Sequence, residues 1–242
     1  ALPAAQATVV RGPMLQGATT TNVYVLVECT TNAASPMTVN FGTTAAYGSS
    51  AATLSAVVSS ASPTTYVHRI KLTGLQPNTL YHYQLSGQSA PATDYSFRTL
   101  VNPGTPFRFA WTADYRDSSD AGVHGQIAGR ILNSHNSPTP PLFDLTGGDY
   151  SSTNTYAKWT NQWIVPSELA LEAALPAYFS PGNHDLWRSG TCMRNFAQAP
   201  DSTGTNGYYS FDCGDVHVTV ENNYTNYTSG SAQWNWAAAD VA

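Results

Sequence analysis

The chain has 242 residues, of which 42% are hydrophobic and only 10% charged, and its formal net charge is −5. This length allows one large or two medium domains with a buried core. The scarcity of cations argues against a nucleic-acid surface, and no apolar run is long enough to span a membrane. Low charge with abundant Ser and Thr favours a secreted protein, extracellular or on the cell surface.

The first hundred residues are predicted to form short β-strands separated by turns. Apolar side chains recur at every second position from Val23 to Val27, and later segments with the same period end at glycines. Helical periodicity is absent, so we predict an all-β sandwich domain over residues 1–100. Cys29 lies in one of these strand-like runs and is expected to be a buried free thiol.

A change of pattern follows a predicted linker at residues 101–106. Residues 107–242 alternate apolar strands with helical segments, which is typical of an α/β domain. Residues 121–135 are predicted to be a helix, because apolar residues recur four apart from Val123 through Ile127 and beyond.

Three apolar strands of this α/β domain run into polar residues, at Asp114, Asp149 and Asn183. Open α/β sheets bind ligands outside the carboxyl ends of their strands, so we expect the three side chains to converge. Two carboxylates and a carboxamide supply hard oxygen ligands for a divalent cation. A carboxylate can also bridge two cations about 3.5–4 Å apart, an arrangement that holds a phosphate ester for in-line attack.

Cys192 and Cys213 flank a loop rich in Gly, Ser and Thr. A disulfide that closes this loop is plausible for a protein outside the cell. Two free thiols are the alternative, and the spacing alone leaves both open.

The motifs together resemble a known family. Asp114, Gly-Asp at 148–149 and Gly-Asn-His-Asp at 182–185, in this order after three strands, resemble the metallophosphoesterase (calcineurin-like) superfamily. Residues 72–81 resemble a corner of fibronectin type III-like domains. With residues 95–99 they make the sandwich similar to the N-terminal domain of purple acid phosphatases. The implied fold is this sandwich followed by an incomplete metallophosphoesterase domain, a β-sandwich flanked by helices.

The resemblance implies a role for each matching residue. Asp114 would bind a first metal ion, Asp149 would bridge two ions, and Asn183 would bind the second. His184 would contact the phosphate ester and protonate the leaving oxygen, and Asp185 would orient its imidazole. The implied cofactors are two divalent metal ions, Zn, Mn or Fe, with a metal-bound hydroxide as nucleophile.

Two positions depart from the family pattern. Arg116 stands where many members have a histidine ligand, and a permanently protonated guanidinium cannot coordinate a metal. We expect Arg116 to bind substrate phosphate with His184, or else to form a salt bridge with Asp117 or Asp120. Ser152 replaces the tyrosine that binds ferric iron, so we expect a colourless protein with Zn, Mn or Fe(II).

The family completes its metal site with later histidine motifs, and no histidine follows His217. We therefore expect a chain truncated before those motifs, with the site completed by the C-terminal remainder of the same protein or by another copy. The predicted function is acid phosphatase-like, metal-dependent hydrolysis of a small phosphate ester, as a phosphatase or phosphodiesterase. The alternative is a non-catalytic extracellular structural or assembly protein that reuses the fold.

Overall fold

The structure of the chain is a computed structural model that describes residues 8–87, 93–116, 122–135, 137–185, 192–200 and 207–242. Asp117 and Asp120, the alternative partners predicted for Arg116, lie outside these described residues. Within the described part of the chain, none of the helices has the length and apolar character needed to cross a membrane.

The first part of the chain is the predicted β-sandwich. Its strands are β1 (Val9–Gln16), β2 (Asn22–Cys29), β3 (Thr38–Gly42), β4 (Ser49–Ala61), β5 (Thr64–Thr73), β6 (Leu80–Ser86) and β7 (Tyr95–Arg98). One sheet has the order β7-β6-β3-β4 and the other β4-β5-β2-β1, all antiparallel. Strand β4 belongs to both sheets, because residues 49–52 pair with β3 and residues 53–61 pair with β5.

The second part contains the predicted alternation of strands and helices. Its elements are β8 (Arg108–Thr112), α1 (Val123–His135), β9 (Pro141–Thr146), α2 (Tyr156–Gln162), α3 (Pro166–Glu172), β10 (Ala177–Phe179), α4 (Cys192–Phe196), β11 (Tyr209–Cys213), β12 (Val216–Val220) and α5 (Ala232–Asp240). Strands β10, β9 and β8 are parallel and extend the sandwich sheet from β1, through the pairing of Gln16 with Ala177. The carboxyl ends of these three strands therefore lie at one edge of the sheet. The domain boundaries at residues 100 and 107 stay a prediction.

Strand β2 is buried on both faces. Val25 packs in the core of the sandwich, whereas Tyr24 and Leu26 point to the other face. There they pack with Trp159 of α2 and Phe196 of α4. The helices of the second part thus cover a sheet face of the first part, and the two parts share a hydrophobic core.

Helix α1 forms where the sequence predicts it. Val123 and Ile127, at the start of its predicted apolar stripe, do not face the core. These two side chains are 69% and 41% exposed. The buried contact of α1 is made by Ala128, which packs against Leu171 and Leu175 at the α3 end of the domain. Ile131 and Leu132, further along the predicted stripe, are partly buried against the same cluster, so the prediction is wrong only for the start of the helix.

All three cysteines are buried free thiols, so the disulfide alternative for Cys192 and Cys213 is wrong. Cys192 packs in the cluster that contains Trp159, whereas Cys213 packs in the sandwich cluster with Phe211. Because they sit in different hydrophobic clusters, the two sulfurs do not meet. Burial raises the pKa of the Cys192 thiol to about 11, so this thiol stays protonated at neutral pH.

Candidate active site

The loops after β8 and β9 run side by side. The backbone N–H of Asp114 donates to the Gly148 carbonyl at 3.1 Å, and that of Tyr115 donates to the Asp149 carbonyl at 2.9 Å. These two hydrogen bonds continue the pairing of the parallel strands past their ends. Asp114 and Asp149 are thereby placed on adjacent loop tips, as the sequence predicts.

Both aspartates have a left-handed backbone conformation, with φ of 59° at Asp114 and 60° at Asp149. Such values are uncommon outside glycine, and aspartate is among the residues that tolerate them. Unusual backbone conformations of this kind cluster at functional sites. Two of them on neighbouring loops, each at a carboxylate, identify this edge of the sheet as the candidate site.

The third loop, after β10, packs directly on Asp149. Gly182 lies so close that an added Cβ would overlap the Asp149 backbone nitrogen and carboxylate. The N–H of His184 donates to Asp149 Oδ1 at 3.0 Å. Asn183 lies between these two residues and is exposed. All three predicted metal-binding positions are therefore on loops in mutual contact.

Asp185 holds the loops together rather than the imidazole of His184. Its buried carboxylate accepts the backbone N–H groups of Asp149 at 2.8 Å, Tyr150 at 3.1 Å and Gly182 at 2.7 Å. Burial raises the pKa of the Asp185 carboxyl to about 6, against the lowering effect of these donors. The predicted contact between Asp185 and the imidazole is not made in this geometry, because both imidazole nitrogens have other partners.

The imidazole of His184 is oriented by the backbone carbonyl of Ser152, which lies 2.8 Å from Nδ1. A carbonyl can only accept a hydrogen bond, so Nδ1 carries the proton and a neutral ring presents the lone pair of Nε2. Arg116 Nη1 lies 3.0 Å from Nε2 and donates to it. Ser152 therefore contributes through its backbone at the position where the family has a tyrosine side chain.

Arg116 forms a salt bridge with the predicted metal ligands. Its Nη2 lies 2.7 Å from Asp114 Oδ1 and 3.8 Å from Asp149 Oδ2. The side chains of Asp114 and Arg116 are 65% and 42% exposed, whereas that of Asp149 is only 12% exposed. The guanidinium thus joins both carboxylates to His184, the residue with which Arg116 was predicted to bind substrate.

Two side-chain amides near α2 support the site, and neither was predicted from the residue pattern. Gln162, buried in α2, accepts the N–H of Ser152 at 2.7 Å and donates to the Arg116 carbonyl at 3.2 Å. Asn154 donates to the Asp185 carbonyl and accepts the N–H of Cys192 at 3.2 Å. These amides bind backbone groups of distant loops, which no residue spacing could have indicated.

Tyr150 does not replace the tyrosine missing at position 152. Its side chain is buried, and its hydroxyl contacts Thr146 and donates to the Ser180 carbonyl at 3.2 Å. The phenol therefore points into the core under the loops. This geometry agrees with the expectation that the site has no tyrosinate to bind ferric iron.

The donor set fits part of the coordination shell of a divalent cation. The guanidinium of Arg116 is itself a cation held between Asp114 and Asp149, so these carboxylates face a space that attracts positive charge. Asn183 would add an amide oxygen from the adjoining loop. In the described parts of the chain, no three or more His, Cys, Asp or Glu side chains are grouped so as to hold a metal ion.

His217, the last histidine, is not part of this site. Its Nδ1 lies 2.7 Å from Asp212 and its Nε2 lies 2.9 Å from Asp240. It therefore joins the β11–β12 hairpin to the end of α5. These carboxylates raise the pKa of His217.

Comparison with known proteins agrees with this architecture. Residues 15–99 match the family model for the purple acid phosphatase N-terminal domain. Purple acid phosphatase 13 of Arabidopsis thaliana is 27% identical over 72% of this chain and 39% of its own length. Purple acid phosphatase 23 of the same plant is 25% identical over 73% of this chain and 44% of its own length.

Solved structures show the same fold. A purple acid phosphatase from yellow lupin (Lupinus luteus) seeds matches 97% of this chain with a TM-score of 0.75, at 16% identity and over 48% of its own chain. A structure of PhoD matches 95% of this chain with a TM-score of 0.60, at 12% identity and over 55% of its own chain. The chain thus spans about half, or less, of these relatives. Its predicted resemblance to purple acid phosphatase-like metallophosphoesterases, in the sandwich and in part of the phosphoesterase domain, is confirmed.

Proposed function

We propose that the protein containing this chain hydrolyses small phosphate esters in a metal-dependent reaction. The observation that carries this proposal is the contact of three loop tips around Asp149, with Asp114, Arg116 and His184 at one point. Relatives of both parts of the chain are named as phosphatases. The donors missing from this half would come from the C-terminal remainder of the protein or from another copy.

Within this proposal, Asp114, Asp149 and Asn183 are metal ligands. In the family that the chain resembles, two divalent cations polarise the phosphoryl group and activate the attacking water. Oxygen ligands without a tyrosinate favour Zn, Mn or Fe(II) over Fe(III). The substrate would be a small phosphate ester, and the protein would act outside the cell or at its surface.

His184 is the proposed acid for the leaving oxygen. In the described geometry its Nε2 accepts a hydrogen bond from Arg116 and carries no proton. Two donors cannot face each other, so His184 can act as an acid only when Nε2 is protonated and Arg116 has moved away. The proposed chemistry therefore requires a rearrangement of the Arg116 side chain.

A second candidate is a non-catalytic extracellular scaffold that reuses the fold. Its support is the salt bridge of Arg116 with Asp114, which neutralises a predicted metal ligand from within the chain. A scaffold would keep Asp185 and the aromatic core while its metal-binding positions changed. The two candidates differ in whether the protein turns over a phosphate ester.

The test is the hydrolysis of p-nitrophenyl phosphate by the intact protein, stripped of metal and reloaded with Zn, Mn or Fe(II). We expect at least one metal to restore turnover, and Asp149→Ala to lower it by at least about 100-fold. Asp94→Ala, at an exposed carboxylate of the sandwich, is the matched control and should retain the wild-type rate. Equal and negligible rates for wild type and Asp149→Ala under every metal would favour the scaffold.

A further inference from the structure

We propose that Arg116 competes with a divalent cation for Asp114, and that cation binding releases its guanidinium to bind a phosphoryl group. Arg116 would then couple the binding of metal to the binding of anion. The inference deepens the proposed function and rests on it for the nature of the anion. Competition between Arg116 and the cation can be measured without turnover.

The first step is a conflict of charge and space at one oxygen atom. Arg116 Nη2 lies 2.7 Å from Oδ1 of Asp114, a predicted metal ligand whose side chain is 65% exposed. A coordinated divalent cation would lie about 2.0–2.6 Å from the same oxygen. A guanidinium and a divalent cation that share this carboxylate would repel each other across a few ångströms. Asp114 can therefore bind only one of the two, the guanidinium or the divalent cation, at full strength at a time.

The second step is that the Arg116 side chain can leave while its backbone stays. The Arg116 side chain is 42% exposed, and its closest charge contact, with the 65% exposed Asp114, lies at the protein surface. Surface contacts of this kind contribute little to stability and break readily. The Arg116 carbonyl, by contrast, is held by the buried amide of Gln162 at 3.2 Å. A displaced guanidinium stays within one side-chain length of the site.

The third step links this movement to His184. The same guanidinium donates through Nη1 to Nε2 of His184 at 3.0 Å. Its departure uncovers Nε2, while the Ser152 carbonyl continues to hold Nδ1 at 2.8 Å. Cation binding therefore exposes a guanidinium and an imidazole nitrogen together. The guanidinium can donate a two-pronged hydrogen bond to phosphoryl oxygens, and Nε2 can donate one once it is protonated.

Thermodynamic linkage gives the measurable consequence. Without the cation, Arg116 is neutralised by Asp114, and the site should bind inorganic phosphate weakly. With the cation, phosphate gains both the metal charge and the freed guanidinium. The two ligands should therefore strengthen each other's binding by the same factor. Removal of the Arg116 charge should strengthen cation binding and weaken phosphate binding, a pair of opposite effects.

The experiment titrates Mn²⁺ and inorganic phosphate into the metal-stripped intact protein by calorimetry, with phosphate kept below the concentration at which it precipitates Mn²⁺. For Arg116→Gln we expect Mn²⁺ to bind about 3–5-fold more tightly than to wild type, because an exposed salt bridge no longer competes. Phosphate should bind the Mn²⁺-loaded variant at least about fivefold more weakly. Arg108→Gln removes an exposed arginine of β8 as the matched control and should change neither affinity.

Arg116→Lys is a second variant, which keeps the positive charge and loses the guanidinium that can form a two-pronged hydrogen bond. It should retain wild-type Mn²⁺ affinity and lose part of the phosphate affinity. Mn²⁺ binding to folded Arg116→Gln that is unchanged or weaker than in wild type would overturn the competition. Tighter Mn²⁺ binding by Arg116→Gln, with no p-nitrophenyl phosphate turnover by the wild-type protein, would support the competition and refute the proposed function. Turnover by the wild-type protein, together with an Mn²⁺ affinity that is unchanged in Arg116→Gln, would refute the competition and support the proposed function.

Discussion

At the scale of single residues, the candidate site depends on two loops that touch without side chains between them. A Cβ added at Gly148 would lie 2.7 Å from the Gly182 Cα, and Gly148 has a φ of 86°. A Cβ added at Gly182 would lie 2.9 Å from the Asp149 Cγ. Contacts this short leave no room for a methyl group. The glycines therefore set how closely His184 can approach Asp149.

Gly182→Ala tests this close approach. We expect a loss of about 1–3 kcal/mol in the free energy of unfolding, because the new methyl overlaps Asp149 and forces the loops apart. Gly129→Ala in α1 is the control, since its added Cβ meets nothing within 4 Å. This helical substitution should be neutral or stabilise by up to about 1 kcal/mol. Urea denaturation measures both, and wild-type stability for Gly182→Ala would show that the loops do not touch.

Residue spacing could predict which loop tips converge, because strand order and motif position determine that. It could not predict the partners of the groups themselves. The role of Ser152 comes from its carbonyl, which every residue type has, so the side chain at this position carried no information. The chemistry of Arg116 predicted a carboxylate partner, and it did not indicate the contact with the imidazole of His184. Its choice of Asp114 depends on the left-handed turn that the backbone makes there.

At the scale of elements, buried polar groups lie close together where α1 and α3 pack near β9. Asp144 of β9 accepts the Thr112 hydroxyl at 2.8 Å, and His124 of α1 lies 2.7 Å from Glu168 of α3. Neither oxygen of the buried Glu172 has a hydrogen-bond partner among the described residues. The buried pairing of His124 means that the first turn of α1 faces α3 through a polar side chain. Its partner lies 44 residues away, beyond the reach of a periodicity argument.

This buried cluster predicts greater stability in acid. Burial, with the nearby Glu168, raises the pKa of Asp144 from 3.8 to about 7, and burial also raises the pKa of Glu172. A raised folded-state pKa means that the folded protein holds protons that the unfolded chain releases. Stability should therefore fall as pH rises from about 4 to about 7, with Asp144 accounting for up to about 4 kcal/mol.

Urea denaturation at several pH values across this range measures the effect. Asp144→Asn removes one of the titrating carboxyls, so the slope of stability against pH should become shallower. Asp94→Asn changes an exposed carboxyl of the sandwich and should leave the slope as in wild type. A wild-type stability that is constant or increases between pH 4 and 7 would contradict the burial of ionisable carboxyls under α1 and α3.

At the scale of the whole molecule, the sandwich and the second part of the chain are joined by a buried polar network. Glu28 of β2 is fully buried, and its Oε2 binds Arg11 at 2.9 Å. Its Oε1 accepts the hydroxyls of Ser59, Thr65 and Tyr156, each at 2.7 Å. Tyr156 begins α2, the helix that carries Gln162. A carboxylate of the sandwich is thus connected to the support of the candidate site.

Glu28→Ala tests whether the two parts unfold as one unit. All six tryptophans lie after residue 107, so tryptophan fluorescence reports on the second part while the substitution is in the first. We expect a loss of about 3–5 kcal/mol, because Arg11 and Tyr156 lose a buried charged partner. The fluorescence midpoint in urea should fall together with the midpoint from far-ultraviolet circular dichroism, which reports the strands and helices of both parts.

Coincident shifts are required because β1 pairs with β10 and the two parts share a hydrophobic core. Asp94→Ala, at the sandwich surface, should leave both midpoints at their wild-type values, since its carboxylate contacts only His82 and Tyr47 among the described residues. If Glu28→Ala moved the dichroism midpoint and left the fluorescence midpoint in place, the sandwich would be an independent unit. The contacts from Glu28 through α2 to the candidate site would then not couple the unfolding of the two parts.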